Sequence, residues 1–131
     1  EAVGGHKSAR ECKQYFETLW HNQARWLEHK LSVSSANWQI IVTHFNCGHM
    51  SEWYKRLHEE LGVDLLVTGH VHEQTLHTLP GGLTCLVSGG GGGITSERSP
   101  KGKYTNQYGF FDLTLSREHI KVELVNYKGN V

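Results

Sequence analysis

Apolar residues in the first part of the chain recur at helical spacing. Between about residues 10 and 33, Phe16, Trp20, Leu27 and Leu31 share one face, with Leu19 and Trp26 beside them. That is the three-to-four-residue period of an amphipathic helix. Small polar residues between Ser32 and Asn37 end it. The pattern then shortens. Trp38 to Thr43 is an apolar, β-branched run that predicts a buried strand. Met50, Trp53, Tyr54, Leu57 and Leu61 return to one helical face over about residues 50–61, and Gly62 stands where a left-handed C-terminal cap belongs. Asp64 to Thr68 predicts the next buried strand.

Strand, helix and strand with short linkers form a βαβ unit, whose two strands run parallel. Parallel neighbours end on one edge of the sheet, where open α/β sheets bind ligands. The rest of the chain reads as β-rich. Gln74–Leu79 and Leu83–Ser88 flank Pro80-Gly81-Gly82 and predict a hairpin. Phe111, Leu113 and Leu115 alternate with polar residues, as do Ile120, Val122 and Leu124. With a turn at Ser116-Arg117-Glu118, they predict a second hairpin with one buried face. Between the hairpins, Gly89–Gly93 is either a flexible stretch or a loop pressed so closely against a site that a Cβ would collide. Ile94 to Gln107 is polar and reads as a mobile loop.

The chain has 131 residues, enough for one domain or part of a larger one. Lys plus Arg and Asp plus Glu are equal at 13 each, which leaves no field to draw nucleic acid. No apolar run approaches the ~20 residues of a membrane span. Cys12, Cys47 and Cys85 make no CxxC pair and read as buried or idle thiols. There is no N-x-S/T sequon, and nothing fixes a compartment. The sequence starts at Glu1 without a signal-peptide pattern and reads as the middle of a longer chain.

Histidine is abundant, at 10 residues. The first predicted strand of the βαβ unit closes on Thr43-His44 and the second on Thr68-Gly69-His70-Val71-His72. Parallel strands bring His44 and His70 to one edge. Residues two apart on an extended strand point the same way, so His70 and His72 are expected to converge. Gly69 is expected to let the backbone pass close to an ion. Three imidazoles suit Zn, Fe, Mn or Cu rather than Ca or Mg alone. His49, in the loop beside His44, is the candidate to reach a substrate. His58 falls on the polar side of its helix and reads as solvated, and His77 as surface or supporting.

Thr43-His44 and Gly69-His70-Val71-His72, with a helix between, resemble the last two motifs of calcineurin-like metallophosphoesterases, above all the purple acid phosphatase-like branch. The resemblance extends to Gln23–Leu27 followed by Trp38–Val42, to Val87-Ser88-Gly89-Gly90-Gly91-Gly92, and to Tyr108–Leu113. It covers roughly residues 20–131. It implies an α/β fold, the C-terminal half of a four-layer α/β/β/α sandwich. His44 and His70 would ligate one metal and His72 the other, in a pair of divalent or trivalent ions (Fe, Zn or Mn). The implied activity is hydrolysis of a phosphate ester, with a phosphorylated substrate and His49 as catalytic acid on the leaving group. His49 follows His44 more closely than that branch usually places its acid histidine.

The acidic motifs of that family, D-x-H, G-D-x-x-D and G-N-H-D/E, occur nowhere in the chain. Glu73-Gln74-Thr75-Leu76 also replaces the A-Y-E-R of the plant-type group. Residues 1–131 are thus expected to be the C-terminal part of one domain, whose N-terminal half lies upstream or on a separate chain. Two other functions stand beside this one. One is a mononuclear zinc enzyme with three histidines and an open water position. The other is a non-catalytic phosphoesterase-like scaffold or interaction subunit.

Overall fold

The structure, a computed structural model, describes residues 8–91 and 108–131. The chain divides into two compact units, one ending at Ser35 and the other beginning at Ala36. The polar stretch after the first helix is where they part. Helix α1 (Ala9–Ser32) belongs to the first unit. Ser8 caps it by accepting from the Glu11 N–H at 3.2 Å, which satisfies one of the open donors of the first turn. Tyr15, Phe16, Leu19, Trp20 and Trp26 are exposed.

The second unit is mixed α/β. Strands β1 (Ile40–Val42) and β2 (Leu65–Thr68) flank helix α2 (Ser51–Leu61), followed by β3 (Gln74–Thr78) and β4 (Thr84–Ser88). They form one sheet in the order β1-β2-β4-β3. Ile41 pairs with Leu66 and Leu66 with Cys85 in parallel register, whereas β3 runs antiparallel to β4. The βαβ unit and first hairpin expected from the pattern are both present, each strand a residue or more shorter than the apolar run that marked it. Leu57, Val63, Leu66, Leu83, Cys85 and Leu86 are buried to the last atom or nearly so and form the core between α2 and the sheet. Gly62 ends α2 with φ +72°, the cap the sequence called for. Met50, expected on the helix face, is instead the N-cap residue, with φ +62°.

Strands β5 (Gly109–Leu115) and β6 (Ile120–Asn126) form the second hairpin. Its register places Phe111 opposite Leu124, Leu113 opposite Val122, and Leu115 opposite Ile120. These cross-strand apolar pairs lie on one face, as the period-two pattern requires. The Gly109 N–H donates to the Gly90 carbonyl at 2.9 Å, which ties the hairpin to the end of β4. The polar segment expected as a mobile loop, together with Gly92 and Gly93, lies outside the described residues. Among the described residues no helix is long and apolar enough to cross a membrane.

The strand order has one steric consequence. β2 ends beside β4, yet the chain must reach β3 on the far side of β4. Residues 69–73 therefore cross over the end of β4, and the chain leaving β4 passes beneath them. The Gly89 N–H donates to the Glu73 carbonyl at 2.9 Å. A Cβ at Gly89 would overlap the Val71 carbonyl and press on the Glu73 nitrogen at 3.1 Å. Of the two readings of the glycine run, close approach holds at Gly89, whereas a Cβ at Gly91 would meet nothing within 4 Å. Gly89→Ala is accordingly expected to destabilise the protein by about 1–3 kcal/mol through overpacking. Gly91→Ala is expected to change stability by about 0.5 kcal/mol or less. Urea denaturation of both variants checks the contrast, and equal effects would refute it.

Candidate functional site

Two backbone bonds bring the histidine-bearing strand ends together. The Thr43 N–H donates to the Val67 carbonyl at 3.0 Å, and the Gly69 N–H to the His44 carbonyl at 3.1 Å. They extend the β1–β2 ladder past its last paired residues. The result is a direct contact: His70 Nδ1 lies 3.2 Å from His44 Nε2, with one ring donating an N–H to the other's lone pair. Both rings are exposed at the sheet edge.

His70 and His72 are not the next two residues of an extended strand, as the sequence reading assumed. β2 stops at Thr68. The Val71 N–H donates to the Gly69 carbonyl at 2.8 Å, and the Glu73 N–H to the Val71 carbonyl at 2.8 Å. Each bond closes a three-residue turn with a histidine at its centre. His70 has φ +66°, left-handed backbone that disfavours any residue with a Cβ. The chain turns over β4 at these residues, so strand alternation does not govern where their side chains go. His44 and His70 meet. Among the described residues no three of His, Cys, Asp or Glu are grouped to hold a metal. Gly69 has a different role from the expected one: a Cβ there would sit 3.6 Å from the His44 carbonyl, an ordinary contact.

His49 does share a cavity with His70. Phe45, Asn46, Gly48, His49 and His70 line an open cleft of about 440 Å³. Phe45 stands among three imidazoles, its ring centroid 5.4 Å from His44, 4.9 Å from His49 and 5.5 Å from His70. No sequence signal marked Phe45. Nor did any mark the pairing of Cys47 with Cys85, a disulfide across 38 residues: the two are buried, as the reading of buried or idle thiols allowed, but bonded rather than free. Cys12 is the free cysteine. Thr68 lies buried beside this bond, its hydroxyl donating to the Leu86 carbonyl at 3.2 Å. His58 is not simply solvated: its Nδ1 is 2.6 Å from the Val63 carbonyl, just past the end of α2. His77 is exposed and bonded to the Thr75 hydroxyl at 2.8 Å.

Behind His44, Thr43 is held from α2 by a side-chain hydrogen bond to Tyr54. Burial pushes the Tyr54 hydroxyl above its ordinary value of 10.0, and the Thr43 bond opposes that more weakly. The unfolded chain thus releases this proton first as pH rises, and the folded state binds more protons above about pH 10. Stability from this group is complete below that pH and is lost above it.

The imidazole pair fits one edge of a metal site. A tetrahedral ion about 2.0–2.1 Å from two imidazole nitrogens holds them about 3.3 Å apart. That matches the 3.2 Å between His44 Nε2 and His70 Nδ1.

The sequence matches no protein-family model and no curated protein.

Two outcomes follow from this geometry. His70→Gly is expected to be more stable than His70→Ala by about 1 kcal/mol, because glycine tolerates the left-handed turn. Thermal denaturation compares them, and an alanine variant as stable as the glycine variant would refute the strain. For Tyr54, the urea midpoint of the wild type should fall as pH rises above about 10, and Tyr54→Phe should flatten that fall. Parallel curves would assign the fall to other groups.

Proposed function

We propose that the chain is the C-terminal half of a metal-dependent phosphoesterase of the calcineurin-like, purple acid phosphatase-like type. The observation that carries this reading is the 3.2 Å approach of His44 Nε2 to His70 Nδ1 at the edge of two parallel strands. His44 and His70 would hold one ion, and His72, at the next turn, would belong to a second. The ions would be Fe, Zn or Mn. Two such ions, when bound, offset charge on the phosphoryl oxygens and lower the pKa of the attacking water. His49, across the cleft from His70, donates a proton to the leaving oxygen. Phe45 forms an apolar wall that keeps the imidazoles oriented.

The rest of the site comes from the N-terminal half of the domain. β1 is an edge strand of only three residues with Val42 76% exposed, a place for further strands to add. That half supplies the carboxylates, and the substrate is a phosphorylated compound.

The test joins this chain to an upstream segment bearing the acidic motifs and assays p-nitrophenyl phosphate and an alkyl phosphate with Mn or Zn. Two ions per chain and turnover are expected. His70→Ala should lower kcat/KM by about 100-fold or more. His49→Gln should slow the alkyl ester, whose leaving group needs the proton, more than the nitrophenyl ester. One ion per chain would favour a mononuclear zinc enzyme. No turnover with any metal would favour a non-catalytic scaffold, the reading to which the absence of acidic motifs in this sequence lends weight.

A further inference from the structure

The loop from Phe45 to His49 supplies four of the five residues that line the cleft, Phe45, Asn46, Gly48 and His49. Besides the contact of Cys47 Sγ with the Thr68 hydroxyl at 3.7 Å, beside the disulfide itself, its hydrogen bonds are internal among the described residues. The His49 N–H donates to the Asn46 carbonyl at 3.0 Å, and the Gly48 N–H to Asn46 Oδ1 at 3.1 Å. His44, one residue before it, is fixed differently, by the backbone bond from Gly69. Among the described residues, the covalent tie from this loop to the sheet is Cys47–Cys85, which reaches the middle of β4. Cys85 is wholly buried, and Cys47 is 5% exposed. Cys47 also lines a second cavity of about 360 Å³, whose walls include Glu73, His77, Leu79 and Val87.

We propose that the Cys47–Cys85 disulfide is the positioning link of the imidazole cleft, and that a small dithiol reaching Cys47 from the second cavity releases it. One thiolate of the reagent attacks Cys47 Sγ. The Sγ–Sγ bond breaks, and its electron pair leaves on Cys85 Sγ, which takes up a proton. The reagent's second thiol then displaces Cys47 as a thiol and closes the reagent into a cyclic disulfide. The protein gains two electrons and two protons, and the dithiol loses them. Phe45 and His49 are then free to leave the cleft. The His44–His70 pair persists, because backbone bonds between strand ends hold it rather than the loop. This inference stands without the phosphoesterase reading and would hold in a protein with no catalytic activity.

The test is NMR on the full chain carrying Cys12→Ser, before and after dithiothreitol. Amide exchange at His49 is expected to quicken by about tenfold or more on reduction, while Leu66 and Leu86 keep their protection. Nuclear Overhauser contacts from Phe45 to His49 and His70 should disappear, and the His44–His70 contact should remain. The double variant Cys47→Ala/Cys85→Ala should reproduce the reduced pattern without reagent. Unchanged loop contacts in the reduced protein and in the double variant would overturn the proposal. So would joint loss of protection at His49, Leu66 and Leu86, which would make the bond a staple of the whole sheet.

Discussion

The passage of residues 69–73 over the end of β4 constrains everything near the histidines. Parallel pairing of β2 with β4, and antiparallel pairing of β4 with β3, leave the chain no other way from β2 to β3. The crossing chain and the chain beneath it come within backbone contact, which only a residue without a Cβ permits at Gly89. The crossing is locked by the bond from Gly89 to the Glu73 carbonyl and tightened by the two small turns centred on His70 and His72. The strained backbone of His70 is the local cost of that route. It also determines which way the imidazole faces, toward His44 at the end of the neighbouring strand.

Much of this was legible in the residues, and the exceptions have physical causes. Alternation in Phe111–Leu115 and Ile120–Leu124 fixed a register that the cross-strand pairs reproduce. The apolar runs around Ile41 and Leu66 foretold parallel neighbours, and with them the meeting of His44 with His70. The placement of His70 and His72 was misread because period-two reasoning applies only while the strand lasts. Thr68 is its last residue, and no local pattern announces a crossing imposed by the strand order. The Cys47–Cys85 bond was invisible because pairing across 38 residues is a property of the fold rather than of spacing. Phe45 was overlooked for a similar reason. An aromatic residue in a loop has no period, and its role follows only from the three rings it touches.

In the proposed reading the site is incomplete: two imidazoles 3.2 Å apart would form one edge of a metal site, and the sequence holds none of the acidic motifs that would complete a dinuclear centre. Among the described residues β1 is short and has a strand partner on one side only, and its Val42 is exposed. Three supports hold the rings at this edge: strand-end hydrogen bonds for His44, the crossing for His70, and the disulfide-held loop for His49 and Phe45. Tyr54 adds a fourth from behind, through Thr43. The bond from the Gly69 N–H to the His44 carbonyl links the support of His44 to the crossing that carries His70.

The central claim is that His44 and His70 are poised to share one ion. Zinc K-edge X-ray absorption on the protein loaded with one equivalent of zinc examines this most directly. Two imidazole nitrogens at about 2.0–2.1 Å are expected, falling to one in His44→Ala and in His70→Ala. A coordination shell without imidazole, or one that neither substitution alters, would contradict it.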